Sequence, residues 1–429
     1  MAIRKRKASS LPKMMTEELL REIADKYLLP LFSGASVDDI SDSSSSSEAT
    51  VAYLDPQTIG FKVNKSDTYR LKFRRDQPFA QKQDPARELR VVEAFTSILA
   101  AMNDELKGKL RNDLLSTFQR RVVARAVSDL AHEQQVLILL DQMASWAERL
   151  YEGVPVTSAV GFDPIGPNGT GEKFGAFGSH DFGAVLSNGY NSLLAFDAGL
   201  GFIDHLVLQS GGFSARASPW MQAPIACWTA GEGRVGIALN TQGEILVFRD
   251  GQLLFARRNG SWHFLTHSPI LGQMVVPRDP IIRGAVYESA LDASFERRGA
   301  CIGIVGSSQS EKWQSLVSSA DRISLKSSER ARALWGVIRG RNFQDLERTL
   351  RLELISIDGA TVINHKGEIL AVGAIVQISN SGTGGGRTAA AQELAKVGLG
   401  IKISQDGSIS GYRPKSAKSS KVSVAFSLM

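Results

Sequence analysis

The chain has 429 residues, 43% of them hydrophobic and 22% charged, and a formal net charge of +6. That length predicts two or three domains, and so ordinary a composition excludes a disordered, collagen-like or disulfide-framed protein. The positive excess is small and concentrated at the ends, in Arg4-Lys5-Arg6-Lys7 and in Lys415, Lys418 and Lys421, so a nucleic-acid partner is not expected.

In chain order, residues 1–84 read as a tail, a short helix and a serine-rich linker. No apolar segment follows the basic start, so an export signal is not expected and the cytoplasm is the expected location. Thr16-Glu17-Glu18 carries the cap chemistry of a helix whose apolar stripe is Leu19, Leu20, Ile23, Tyr27 and Leu28 and which must stop before Pro30. The run from Ser41 to Ser47 has nothing to bury and reads as a connector.

Residues 85–153 read as helical. Leu89, Val92, Ala94, Phe95, Ile98 and Leu99 mark one helix, and Leu110, Leu114, Leu115, Phe118, Val122, Val123 and Ala126 mark a second that continues through Ile138 to Trp146. The apolar run Val136-Leu137-Ile138-Leu139-Leu140 falls far short of the roughly 20 residues of a membrane span, so no membrane partner is expected. Arg120, Arg121 and Arg125 read as a solvated helix face rather than a phosphate-binding one.

Residues 154–279 change to short alternating segments punctuated by Gly, Asn and Asp, a β-rich region. Residues 182–189 read as a strand entering an Asn188-Gly189 turn. Residues 235–239, 244–248 and 253–257 read as a meander, its last turn made by Arg249-Asp250-Gly251-Gln252. Trp262 and Phe264 are expected to pack on that sheet rather than stack on a base.

Residues 280–413 alternate helix and strand, and 414–429 read as a basic tail. A helix spans 282–295, a strand 300–305, a helix capped by Ser327-Ser328 runs through Arg339, and a short helix covers 346–350. A strand pair then surrounds Asp358-Gly359-Ala360. No internal repeat of fixed period is visible. The fold class is therefore α+β or α/β: a C-terminal mixed sheet flanked by helices, preceded by the β-rich region and the N-terminal helical region.

Several tempting motifs have plainer readings. Gly166-Pro167-Asn168-Gly169-Thr170-Gly171-Glu172-Lys173-Phe174 lacks the lysine and hydroxyl of a phosphate loop at the required places, and its prolines spoil the strand-to-helix context. The six histidines, His132, His180, His205, His263, His267 and His365, show no metal-pair spacing, and no nucleophile elbow supports a hydrolase. Cys227 and Cys301 lie in apolar surroundings and read as buried thiols, not zinc ligands.

The C-terminal third behaves differently. Asp358-Gly359-Ala360-Thr361 opens a strand pair turned by Asn364-His365-Lys366-Gly367. Gly382-Thr383-Gly384-Gly385-Gly386-Arg387-Thr388-Ala389-Ala390 opens a helix, and Ser404-Gln405-Asp406-Gly407-Ser408-Ile409 turns a second pair. In this order, these three pieces resemble the nucleotide-binding core of diadenylate cyclases, whose loop reads Gly-Thr-Arg-His-Arg-x-Ala-Ala. The resemblance covers residues 282 to about 412.

The resemblance implies that Asp358 lies at the nucleotide sugar and at a divalent metal, Mg²⁺ or Mn²⁺, and is catalytic if the chain is an active cyclase. It gives Gly359 and Ala360 to close backbone approach. The loop Gly382, Thr383, Gly384, Gly385, Gly386, Arg387 and Thr388 becomes the phosphate-binding segment. A glycine loop at a helix start offers free N–H groups to an anion, and Arg387, aligned with the last loop arginine, adds a side-chain grip. Glycines replace the other arginine and the histidine. Losing one charged donor of this kind costs about 2.7–4 kcal/mol of transition-state stabilisation, whereas binding survives looser geometry.

The expected function is a nucleotide-binding sensor for an adenine nucleotide or a signal derived from one. The alternative is an active cyclase that condenses two ATP into cyclic di-AMP. That activity requires a face-to-face homodimer, or a higher oligomer, and a substitute cation such as Arg283, Arg297, Arg298 or a lysine of the partner.

Overall fold

Thr16 opens the first helix as its cap chemistry requires. Its hydroxyl accepts the Leu19 N–H at 3.2 Å, α1 runs Glu17–Ile23, and the chain tightens through Pro30 into a 3-10 turn. The computed structural model describes residues 16–42, 51–63, 69–79, 85–102, 111–209, 217–309, 311–326, 328–378, 385–416 and 421–429. The expected tail at 1–15, most of the serine run, and Gly382, Thr383 and Gly384 lie outside the described residues.

The segment read as linker holds a four-stranded antiparallel sheet. Its strands are β1 (Ala35–Asp42), β2 (Val51–Asp55), β3 (Thr58–Val63) and β4 (Tyr69–Arg75), in the order β1-β4-β3-β2. Ile59, Phe61 and Val63, with Leu71 and Phe73, alternate onto one buried face. That period-two signal is short and is interrupted by the serines. Ser41 belongs to β1 rather than to a connector.

Three helices follow: α2 (Pro85–Met102), α3 (Arg111–Val127) and α4 (Glu133–Ala147). The single helix expected up to Trp146 breaks at Ser128, whose hydroxyl turns back onto the Ala124 carbonyl at 2.6 Å. Arg120 pairs with Asp141 and Arg125 with Glu133, both at 2.7 Å, so two of the three arginines hold α3 to α4.

A two-residue hairpin, β5 (Leu150–Tyr151) with β6 (Val154–Pro155), leads into the middle sheet. Its elements are β7 (Ser158–Phe162), α5 (Phe174–Gly178), β8 (Ser192–Phe196), β9 (Phe202–Val207), α6 (Ala223–Trp228), β10 (Val235–Leu239), β11 (Ile245–Arg249), β12 (Gln252–Arg258) and β13 (Ser261–Phe264). The strand order is β13-β12-β11-β10-β7-β8-β9. The expected meander is present, turned at Asp250 and Gly251, both at positive φ, and Trp262 and Phe264 are buried in it. The strand expected at 182–189 is not: Asp181–Val185 form a 3-10 turn. Gly183 sits against the Phe177 carbonyl, leaving no room for a side chain, and Phe182, Val185 and Leu186 stay exposed. The Asn188 side chain accepts the N–H groups of Tyr190, Asn191 and Ser192, which directs the chain into β8.

The C-terminal part comprises α7 (His267–Gln273), α8 (Pro280–Phe295), β14 (Ala300–Val305), α9 (Glu329–Ile338), α10 (Arg348–Ser356), β15 (Ala360–Asn364), β16 (Ile369–Ala374), α11 (Gly386–Ala395), β17 (Gly398–Ile403), β18 (Ile409–Pro414) and β19 (Val422–Leu428). Asp279 caps α8 and Ser328 caps α9. The helix expected at 346–350 is the longer α10. Part of the expected basic tail is β19, an edge strand whose Ala425, Phe426 and Leu428 are buried. The sheet order is β16-β15-β14-β17-β18-β19, with β14 and β15 parallel and the other pairs antiparallel. The protein is thus a mixed α and β fold with mixed sheets.

One core joins α1 to α4, the first sheet and one face of the middle sheet. A second fills the space between the other face of the middle sheet, α8 and the C-terminal sheet. Across that second core Arg258 pairs with Glu244 at 2.8 Å and donates to the Ser294 and Gly407 carbonyls, so a buried charge is satisfied from both sheets. No helix among the described residues is long and apolar enough to cross a membrane.

Candidate functional site

A cleft of about 870 Å³ opens at the end of the C-terminal sheet where β14 and β15 begin and β16 and β17 finish. Among its walls are Asp358, Gly359, Ala360, Gly385, Gly386, Arg387 and Thr388, so every described residue assigned to a site from sequence meets there.

Asp358 is exposed at the mouth, just before β15, and among the described residues its carboxylate accepts only a local bond, from the Gly359 N–H at 3.1 Å. Gly359 has φ of +104°, a conformation that favours glycine, and a side chain there would sit 2.5 Å from the Gly373 carbonyl carbon. Its small size therefore serves the crossing of two chain segments inside the protein. Gly373 answers it from the other side at φ +60°, and a side chain there would meet Ile357 and the Arg330 guanidinium.

The helix α11 points its first turn at the cleft. Gly385 caps it in an extended conformation with no side-chain bond, and the Thr388 and Ala389 N–H groups return to the Gly385 carbonyl. No described protein acceptor takes the Gly386 and Arg387 N–H groups. Beyond their chain neighbours and the backbone of α11 itself, no described residue lies within 4 Å of where a side chain would stand on Gly385 or Gly386. Such a helix start holds an anion by two backbone donors and the helix dipole together.

Side-chain charge leans the same way. Arg330, Arg387 and Lys402 line the cleft against the single carboxylate of Asp358. Arg330 reaches it from α9, held by the Val372 and Gly373 carbonyls at 3.3 and 3.1 Å. Arg387 lies over Gly299, where an added side chain would come within 2.6 Å of its Nη1. Cys301 forms part of the floor, and burial pushes its thiol up to about 12 although Arg387 opposes the shift, so it is no nucleophile at neutral pH. Ile375 and Ile378, 78% and 45% exposed, supply an apolar rim.

The substitute cations considered from sequence are engaged elsewhere. Arg283 donates to the Leu271 carbonyl, Arg297 pairs with Glu244, and Arg298 pairs with Glu296 and Glu353. Sequence reasoning missed Arg330 and Lys402. Lys402 carried a faint signal, standing two residues before the Ser404 turn and hence on the same strand face as Gly400 and Ser404. Arg330 carried none, because only the packing of α9 brings it to β16.

No group of three or more His, Cys, Asp or Glu residues among the described residues could hold a metal ion. A single carboxylate suits only an ion that arrives with further oxygen ligands, as Mg²⁺ does on nucleotide phosphates. Elsewhere, the glycine loop at 166–174 closes on a carboxylate just after β8: Asp197 accepts the Gly169 N–H at 2.8 Å. His267 lies between Tyr287 and the Leu253 carbonyl, a satisfied core histidine.

No family model matches the chain, and no curated protein matches it. Among solved structures, a double mutant of DacA from Staphylococcus aureus is 16% identical over 34% of this chain and 86% of its own, with a TM-score of 0.24.

Proposed function

We propose that the chain is a nucleotide-binding sensor that takes an adenine nucleotide, or a signal derived from one, into the cleft between Asp358-Gly359-Ala360 and the start of α11. The observation that carries this reading is the meeting of two N–H groups of α11, which no described residue accepts, with Arg387, Arg330 and Lys402 around one opening. Phosphate oxygens suit those donors, and the apolar rim of Ile375 and Ile378 suits the flat face of a base. Asp358 would hold Mg²⁺ or Mn²⁺ jointly with the phosphates, and the ion would neutralise their charge.

The second reading is an active diadenylate cyclase, favoured by the exposure of Asp358 and by the two extra cations, Arg330 and Lys402. It requires two clefts to face each other in a homodimer. Glycine at positions 384 to 386 removes side-chain charge that would stabilise a transferring phosphoryl group, which favours recognition over turnover. Incubation with ATP and Mg²⁺ or Mn²⁺ separates the two. A sensor binds without forming cyclic dinucleotide, whereas product formation abolished by Asp358→Asn would establish the cyclase.

A further inference from the structure

The middle and C-terminal sheets follow one plan. A helix, α4 or α8, leads into a central strand, β7 or β14. The next strand, β8 or β15, is parallel to it and returns through a hairpin as β9 or β16. A helix, α6 or α11, then leads to β10 or β17 on the other side of the central strand, and two antiparallel strands follow, β11 and β12 or β18 and β19; the middle sheet carries β13 in addition.

The correspondence extends to single residues. Gly161 faces Gly236 across β7 and β10, as Gly303 faces Gly400 across β14 and β17. In both places the missing side chains admit the crossing helix, through Trp228 and Ile225 of α6 and through Leu394 and Ala391 of α11. The first hairpins match as well: Asp197 accepts the N–H groups two and four residues on, and so does Asn364.

In this register the cleft residues Gly385, Gly386, Ser404 and Gln405 correspond to Pro219, Trp220, Asn240 and Thr241, and those four line a second cavity of about 390 Å³. Every charged group of the first cleft contributed by the matched elements is gone. Asn191 stands for Asp358, Met221 for Arg387 and Ala238 for Lys402. Into the second cavity reaches α8. Its buried Asp292 accepts the Trp220 N–H at 2.9 Å and two bonds from Arg348, at 2.7 and 2.8 Å, while Arg348 also donates to the Ser218 carbonyl. Glu296 accepts the Trp220 indole N–H at 3.2 Å.

We propose that residues 133–258 are a second, non-binding copy of the C-terminal unit, and that its former ligand cleft is now the socket in which α8, through Asp292, docks the binding copy. The chain then has one binding cleft, and α8 seated at the other fixes the two copies together. The stoichiometry arm of the test rests on the nucleotide-binding reading; the anion arm does not.

With full-length protein, photoaffinity labelling by 8-azido-ATP places label on 357–405 and none on 217–242. Calorimetry gives one nucleotide per chain; two per chain, or label on 217–242, overturns the proposal. In the anion arm, Asp292→Ala leaves Arg348 and the Trp220 N–H without their carboxylate. Sodium acetate should then raise the Tm of that variant by about 3 °C more than that of wild type. Asp292→Asn, which keeps the acceptor and the shape, should show no such excess and stands in as the folded comparison. It also tests the dock if the alanine variant does not fold, because loss of the Arg348 charge pair should still lower its Tm below that of Glu296→Gln, a partly exposed neighbour. Equal acetate shifts in all folded variants, or an unchanged Tm in Asp292→Asn, overturns the dock. Absence of any nucleotide binding refutes the proposed function and leaves the anion arm to decide this one.

Discussion

Replacing Arg387 by alanine isolates the side-chain part of the grip from the backbone part. Arg387 lies at the second position of α11 and lines the cleft, and no hydrogen bond or ion pair to another described residue holds it, so its removal leaves no buried group stranded. Its van der Waals neighbour is Gly299, which tolerates the loss. A charge-assisted bond to a phosphate is worth about 1.5–3 kcal/mol, which corresponds to roughly a 10- to 150-fold weaker Kd. Arg387→Lys should recover only part of this, because an ammonium cannot make the paired bonds of a guanidinium. Calorimetric titration with ATP and cyclic di-AMP measures the change, with thermal unfolding as the control. A variant with unchanged Tm and unchanged affinity would refute the placement of phosphate at α11.

Two glycines should respond in opposite ways. Gly386→Ala has open space and gains helix propensity, so stability should hold or rise by up to about 1 kcal/mol while nucleotide affinity falls. Gly373→Ala forces a side chain into left-handed backbone and into Arg330, and should cost roughly 1–2 kcal/mol or more, with binding lost as well; denaturant titration checks the stability and calorimetric titration the binding. Asp358→Asn should leave metal-free binding within about twofold, since the exposed carboxylate has only a local bond, but should abolish the gain in affinity on adding Mg²⁺. His263 has its pKa lowered from 6.5 to about 4, first by burial and then by the Arg258 charge. The unfolded chain therefore takes up its proton first, and stability should fall between about pH 6.5 and 4 by at most about 3 kcal/mol. His263→Gln should flatten that part of the pH profile.

What was legible in the sequence was local. Asp358-Gly359, the Asn364 hairpin, the glycine start of α11 and the Ser404 turn are each written within a few residues; Asp358-Gly359, the start of α11 and Ser404 meet in one cleft, while the Asn364 hairpin lies at the other end of β15. The packing constraint on Gly359 was not legible, because the Gly373 backbone against it comes from the next strand. Arg330 was invisible because its position depends on how α9 packs. The first sheet was obscured because its alternation is split by serines, and 182–189 imitated a strand with apolar residues that end up exposed. The repeated plan left no period in the sequence because its shared identities are few: glycines where a helix presses on a sheet, and turn residues. Between them, any apolar side chain that fills the core serves.

The most direct test of the central claim is a calorimetric titration of the full-length protein with ATP and cyclic di-AMP, with and without Mg²⁺. Saturable binding of at least one of them, weakened at least tenfold or so by Arg387→Ala, is the predicted result. No heat of binding from either nucleotide under both conditions would contradict it.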